Sequence, residues 1–371
     1  MTTRLYGLGT ALPEHTATQD HSQEFMRRVF QARTSGVEQE RALMYLEAIH
    51  ENCGVERRYS VVEDFTRSDP DQFTFFPKNW SLEPVPSTRR RMEIYESKSI
   101  ELAESAARSA LDDADVSADE VTHLVFVSCT GHFAPGPDIL LVNRLGLSPQ
   151  TRRTVIGFMG CYGAFNGLRS ADQIVASDPD AVVLEVCVEL CTLHYQLDVS
   201  PETIISNSLF ADGAAAAVYG AERRSDGGYA DIATTHCQIG DDSLDMMQWH
   251  IGDTGFSMGL DADVPDELAK GGAPFIDALA DRARMSRDDI GAWLVHPGGP
   301  RIVDAIAEVA ELDDQQVALS HSILRDFGNM SSSTILFVLR RYLDRQPDAG
   351  PMALLGFGPG LTMEGAILNP V

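Results

Sequence analysis

Val116-Ser-Ala-Asp-Glu-Val-Thr-His-Leu-Val-Phe-Val127 is answered by Met285-Ser-Arg-Asp-Asp-Ile-Gly-Ala-Trp-Leu-Val295, with Ser117 and Ser286 169 residues apart. In each stretch a Ser-x-x-acid turn leads into a short run of Val, Leu and aromatic residues, the composition of a buried strand. Two further pairs keep nearly the same spacing. Gly160-Cys161 opens the amphipathic Phe165-Asn-Gly-Leu-Arg169, and Gly328-Asn329 opens Ile335-Leu-Phe-Val-Leu-Arg340, 168 residues on. The strand Val182-Val-Leu-Glu-Val186 matches Met352-Ala-Leu-Leu355 at an offset of 170. Single βα units often look alike, but three matches within two residues of one offset indicate an internal duplication.

Helices alternating with short apolar strands predict an α/β protein. The duplication divides it into halves at 1–220 and 221–371, the first carrying Cys161 and the second His296 and Asn329. Residues 1–110 and 220–270 fall outside the repeat, and residues 60–95, rich in Pro, Arg and Asp, read as an irregular excursion over the surface. Related halves packed about a pseudo-dyad bring equivalent elements face to face. Cys161 and Asn329 are therefore expected at equivalent helix N-termini, converging on one site from opposite halves.

Composition narrows the function. With 371 residues, 44% of them hydrophobic, the chain can bury a large core. Its net charge of −26, from 55 acidic and 29 basic residues, argues against nucleic acid or an anionic membrane as partner. The basic run Arg89-Arg90-Arg91 reads as solvated surface ahead of a helix. Arg4 interrupts the N-terminus and no signal-peptide core follows. No apolar run approaches the ~20 residues of a membrane span. The six cysteines (Cys53, Cys129, Cys161, Cys187, Cys191, Cys237) show no disulfide framework, and reduced thiols in a cytoplasmic protein are the simplest reading.

Three residues carry chemistry as a set. Cys161, in Gly157-Phe-Met-Gly-Cys-Tyr-Gly163, follows a strand and opens a helix, where dipole and free N–H groups favour a thiolate. A small buried cysteine is the competing reading of that segment. His296 stands at the end of the strand Leu294-Val295, the sheet edge where α/β proteins place their sites. Asn329, in Phe327-Gly-Asn-Met-Ser-Ser-Ser333, reads equally as a helix N-cap. Together, Cys and His make an activated nucleophile. His and Asn supply two donors for the oxyanion that forms when a malonyl thioester loses CO₂.

The surrounding motifs are His296-Pro-Gly-Gly-Pro300, Gly328-Asn-Met-Ser-Ser332, Gly356-Phe-Gly-Pro-Gly-Leu-Thr362 and Leu209-Phe-Ala-Asp-Gly-Ala214. From Leu5 to the C-terminus, with all the motifs in the family's order along the chain, the sequence resembles the type III polyketide synthases related to chalcone synthase. The resemblance implies a thiolase fold of five layers, αβαβα, built from two pseudo-duplicated halves. It implies a homodimer that uses CoA thioesters, an acyl-CoA starter and malonyl-CoA, with no metal or resident cofactor. Cys161 would carry the starter and the growing chain, which would then cyclise to a pyrone, resorcinol or phenolic product. His296 and Asn329 would promote decarboxylation. Phe210 and Met258 would be gatekeepers between the CoA tunnel and the cavity, and the Gly356–Thr362 loop would scaffold the cavity wall.

The departures concern substrate. Met258 stands where chalcone synthases carry a second gatekeeper phenylalanine, and Cys129 and Ala134 replace a cavity-side Thr and Met. Glu189, Cys191 and His194 fall where the family lines its initiation and elongation cavity. The basic residues that bind CoA phosphates are unmatched at Tyr45, Ala48 and Asn52, leaving Arg57, Arg58 and Arg301 as substitutes. A flexible methionine at 258 and the volume freed at Ala134 favour an aliphatic, medium- or long-chain starter. Two other readings of the triad stay open: a ketoacyl-ACP synthase III-like enzyme, and a catalytically inactive thiolase-fold binding protein. Cys187, Cys191 and His194 lack the spacing of a zinc site.

Overall fold

A computed structural model describes residues 2–224, 227–261, 263–345 and 350–371. Its first part runs β1 (Thr3–Ala11), β2 (His15–Thr18), α1 (Gln19–Arg33), α2 (Gly36–Asn52), β3 (Arg57–Ser60), α3 (Thr88–Asp113), β4 (His123–Ser128), α4 (Pro137–Leu145), β5 (Arg152–Gly157), α5 (Gly163–Ser177), β6 (Val182–Leu190), α6 (Pro201–Leu209) and β7 (Asp212–Ala221). The second runs β8 (Ala230–Ile239), β9 (Met247–Gly252), β10 (Gly255–Leu260), α7 (Val264–Arg282), β11 (Ala292–Val295), α8 (Pro300–Ala310), α9 (Asp314–Phe327), α10 (Thr334–Leu343), β12 (Met352–Gly358) and β13 (Thr362–Pro370).

The strands order as β5-β4-β6-β7-β1 in one half and β11-β12-β13-β8 in the other. The pairing repeats as well. β4 and β6 are parallel, like β11 and β12, while β6–β7 and β7–β1 are antiparallel, like β12–β13 and β13–β8. The halves join where β1 meets β8, at Arg4–Asp231 and Leu5–Ala230. β8 is thus the counterpart of β1 and α7 of α3, so the repeat starts earlier in both halves than the motif spacing suggested. The two Ser-x-x-acid turns are the same device. Ser117 N–H donates to Glu120 at 2.8 Å and Ser286 N–H to Asp289 at 2.7 Å, each a capping box.

Alternating side chains on the central strands build the layers. Leu124, Phe126, Leu184 and Val186 pack outward against Ala103, Ala106 and Ala110 of α3. Val125 and Val183 pack inward with Phe165 and Leu168 of α5 and Ile335 and Phe337 of α10, which also receive Leu294 and Leu354 from the other sheet. On that sheet's far face, Ala353 and Leu355 meet Phe275 and Leu279 of α7 and Val303 and Ile306 of α8. Helix, sheet, paired inner helices, sheet, helix: this is the five-layered thiolase arrangement.

Among the described residues of the second half, β5 has no counterpart. Instead α9 packs beside β11, and the buried Ser320 hydroxyl accepts the outward Val295 N–H at 3.1 Å. Two expectations fail outside the core. Arg91 is not solvated: it lies inside α3, fully buried, donating to the Pro86, Leu193 and Tyr195 carbonyls. Residues 60–95 do not skim the surface, because Phe73, Phe75 and Phe76 are buried. Asp64 anchors this segment, accepting the N–H groups of Thr74 (2.8 Å), Phe75 (3.0 Å) and Phe76 (2.7 Å). Asp64→Ala would leave these three donors without that acceptor, at about 1–3 kcal/mol for each one left buried. The thermal midpoint should fall by several degrees in calorimetry, against little change for an exposed carboxylate such as Asp71.

Candidate active site

β5 delivers the chain to a turn that presents Cys161. Phe158 and Gly160 both take positive φ, 57° and 76°. A Cβ at Gly160 would lie 2.5 Å from Pro359 Cδ, so only glycine fits there. Cys161 is the second residue of the 3₁₀ turn Gly160–Tyr162, which runs into α5. The Gly356–Thr362 loop packs directly on this turn, with Gly358 facing Cys161 N and the Tyr162 ring. Burial pushes the Cys161 thiol up to about 11, opposed by hydrogen bonds from Ser331 and Asn329. Burial therefore opposes the thiolate expected at this helix N-terminus.

Asn329 reaches this cysteine from the other half. Its Nδ2 lies 3.9 Å from Cys161 Sγ and donates to Gly298 O at 3.1 Å. The Ser331 N–H donates to Asn329 Oδ1 at 2.8 Å, which fixes the NH₂ end toward the sulfur. A two-bond bridge holds the backbone: Asn329 N–H donates to Leu209 O at 2.8 Å, and Ala211 N–H to Asn329 O at 2.9 Å. The expected equivalence of Cys161 and Asn329 does not hold. The turn Gly160–Tyr162 corresponds to Ser331–Ser333, 171 residues later, so Asn329 stands two residues ahead of its turn.

His296 is buried at the end of β11, and among the described residues both ring nitrogens lack a hydrogen-bond partner. A Cβ on Gly298, whose carbonyl Asn329 holds, would lie 3.8 Å from His296 Nε2. Burial pushes the imidazole down to about 3. Burial thus disfavours the charged form of each group, and among the described residues no hydrogen bond joins the Cys161 sulfur to the His296 ring.

The expected substrate-binding residues separate. Phe210, Met258, His194 and Cys191 line one cavity, about 750 Å³ counted out to its open mouth, which also runs under Phe25 and Met26 of α1. Glu189 and Cys129 lie outside that lining and bond to each other. Glu189, fully buried, accepts from Cys129 N at 3.1 Å, Thr130 Oγ1 at 2.7 Å and the Ser332 hydroxyl, and burial raises its pKa. Arg301 is exposed near the start of α8, away from the cavity lining, with no ion pair among the described residues. Ala134 is exposed too, so it frees no volume inside this chain's cavity. Arg58 is turned inward onto the Asn207 and Phe210 carbonyls, whereas Arg57 is exposed. Cys187, Cys191 and His194 form no metal-ligating group among the described residues.

Three residues of the site escaped sequence reasoning. Ser331, at φ 49°, touches Cys129 Sγ at 3.4 Å and orients Asn329. Trp249 lines the cavity and donates to Cys129 O at 2.9 Å. The turn Gly252-Asp-Thr-Gly255 was its signal: a two-residue hairpin there pairs Trp249 with Met258. Tyr195, beside His194, also lines the cavity.

His194 is a strut. Its Nε2 meets Thr130 O at 2.7 Å, Phe256 N–H donates to Nδ1 at 3.0 Å, and its ring stacks on Phe256 at 4.1 Å. Burial pushes it down to about 3, from 6.5 unfolded. The unfolded chain takes up the proton first, so stability present above pH 6.5 is lost as pH falls toward 3, by about 1.4 kcal/mol per unit. Unfolding midpoints measured from pH 7.5 to 4.5 should decline less steeply in His194→Gln than in the parent, whatever its stability at pH 7.5.

Comparison with known proteins shows the family. Chalcone and stilbene synthases, N-terminal domain, matches residues 2–223, and the C-terminal domain of the same family matches 232–371. An alpha-pyrone synthesis polyketide synthase-like protein of Mycobacterium tuberculosis is 31% identical over 291 residues, 76% of this chain and 74% of that protein. A 1,3,6,8-tetrahydroxynaphthalene synthase of Streptomyces peucetius is 35% identical over 273 residues, 72% of each chain. The crystal structure of PKS-I from the brown alga Ectocarpus siliculosus superposes with a TM-score of 0.92 at 30% identity, covering 100% of this chain and 98% of that one. With both domains matched and the fold shared along its whole length, the chain belongs to the chalcone and stilbene synthase family and is a type III polyketide synthase.

Proposed function

We propose that Cys161 carries the acyl chain and that His296 and Asn329 serve malonyl-CoA decarboxylation. The observation that carries this reading is the Asn329 amide held toward Cys161 Sγ at 3.9 Å, beside a buried imidazole whose nitrogens are free. A neutral imidazole is the form that accepts a proton. His296 takes it from the Cys161 thiol as sulfur attacks the acyl-CoA carbonyl, then passes it to the departing CoA sulfur. For extension, the malonyl C–C bond breaks, CO₂ leaves, and the electron pair moves to the thioester oxygen, stabilised by His296 and Asn329 N–H groups. The enolate carbon attacks the Cys161 thioester, and the C–S bond breaks to free Cys161. CoA thioesters are substrates in this scheme, and no further cofactor takes part. We place the division between halves at 220/221.

Exposed Arg57 and Arg301 are the candidates for the CoA phosphates. For the starter, Met258 on the cavity wall supports an aliphatic acyl group. Competition between decanoyl-CoA and p-coumaroyl-CoA at equal concentration should favour decanoyl-CoA. We further propose a homodimer formed along β5, whose outer edge is unpaired and whose Val155 is 49% exposed. Sedimentation should give a dimer at micromolar concentration, and Val155→Lys should shift it toward monomer.

Cys161→Ala should abolish polyketide formation yet leave some CO₂ release from malonyl-CoA. Asn329→Ala should slow CO₂ release by about 10²–10³ while slowing acyl loading less. His296→Ala should slow both. Single-turnover loading followed by mass spectrometry, alongside CO₂ release, separates the steps. Equal loss of loading in the Asn329 and His296 variants would count against the assignment.

A further inference from the structure

Two parts of the cavity wall meet at the start of α3. One is the hairpin of β9 and β10, which brings Trp249, Phe256 and Met258 to the cavity. Among the described residues these strands pair only with each other. A two-stranded ribbon is marginally stable by itself, so its seat is set by what holds it from outside. Its turn, Gly252-Asp-Thr-Gly255, rests on Thr88. Thr88 N–H donates to Asp253 O at 2.8 Å, the Thr88 hydroxyl donates to Gly252 O, and Gly255 N–H donates to Thr88 Oγ1 at 2.8 Å. Three residues along α3, the buried Arg91 backs the same turn: a Cβ at Gly255, φ 111°, would lie 3.0 Å from Arg91 Nε. Arg91 also donates to the Leu193 carbonyl and to Tyr195 O at 3.2 Å, on either side of His194. His194 in turn accepts Phe256 N–H, and Gln196 Nε2 donates to Phe256 O at 3.0 Å.

Thr88 is not among the cavity-lining residues, so whatever it does there it does through the hairpin. A hydroxyl can donate and accept at once, which lets one side chain bridge both strand ends of a two-residue turn. With the turn held, the ribbon offers Met258 one position. With the turn released, the ribbon pivots on the bonds at Phe256 and on Trp249, whose indole N–H donates to Cys129 O at 2.9 Å. We propose that Thr88 is a positioning residue: by holding the hairpin turn against Arg91, it sets how far Met258 stands into the cavity and so which acyl lengths the cavity accepts. The inference rests on the reading of Met258 as part of the starter wall.

Thr88→Val tests it, since valine keeps the shape and the N–H to Asp253 but loses both hydroxyl bonds to the turn. The measurement is kcat/KM over an acyl-CoA series from butanoyl to dodecanoyl, with malonyl-CoA as extender. The ratio between the best and worst starters should shrink about threefold to tenfold in Thr88→Val, mostly through KM. Thr88→Ser, which keeps the hydroxyl, should restore the parent's ratio. A Thr88→Val ratio equal to the parent's overturns the proposal. So does a uniform fall across the series, the mark of a merely structural role, and so does a serine variant as flattened as the valine one. Met258→Ala separates the two readings, because it should move the optimum to a longer chain. If Met258→Ala leaves the length profile where it was, the starter-wall reading falls and this proposal with it. If Met258→Ala moves the profile and Thr88→Val does not, this proposal alone falls.

Discussion

Two backbone hydrogen bonds, Asn329 N–H to Leu209 O and Ala211 N–H to Asn329 O, hold the site together. They bind a residue of the second half into the strand-like edge of the first. Side chains alone would position Asn329 through several rotatable bonds, whereas a backbone bridge leaves it almost none. Everything around the sulfur follows from that tie. Phe210 is pinned opposite Asn329 at the cavity, and Met330 packs against Gly213, where a Cβ would lie 2.5 Å from Met330 Sδ. Ser331 then enters a positive-φ turn, and its N–H fixes which end of the Asn329 amide faces Cys161.

The electrostatics of the site come from dehydration more than from charge pairing. Cys161, His296, Glu189 and His194 are all buried, and each is pushed toward its neutral form. For Cys161 and His296 this suits the proton transfer proposed above, in which a neutral imidazole accepts a proton as the thiol attacks. Glu189 has a structural place: donors from β4's end and from Ser332 converge on it and tie the inner faces of both halves behind the Cys161 sulfur. The low dielectric that disfavours free charge also strengthens any donor aimed at a developing oxyanion.

Much of this was legible from residue order. The paired Ser-x-x-acid turns and the strands after them fall where the spacing puts them, since capping boxes and apolar runs are local signals. Cys161, His296 and Asn329 stood out because each sits in a glycine-rich word at an element boundary. Their mutual register was less legible. Gly160 and Gly328 share a positive φ, 76° and 74°, yet the turn that matches Gly160 starts at Ser331. The cavity was legible only in part. Phe210 and Met258 line it, whereas Cys129 and Glu189 are drawn to each other, Ala134 faces out and Arg301 stands apart. Such outcomes depend on where long-range packing points a side chain, and nothing adjacent in sequence encodes that. Phe73, Phe75 and Phe76 mark the same limit. A stretch rich in Pro and Asp reads as surface until a buried Asp64 is seen to gather its N–H groups.

The missing fifth strand of the second half has a consequence for assembly. At β11 the margin of the sheet is closed: α9 packs beside it and Ser320 takes the Val295 N–H. At β5 the margin is open. A sheet with two open margins is a monomer for polymerisation, able to add copies at both ends into a fibre. A sheet with one open margin is a chain terminator. When two such margins meet across a two-fold axis, neither copy has another to offer, and growth by strand addition stops at two.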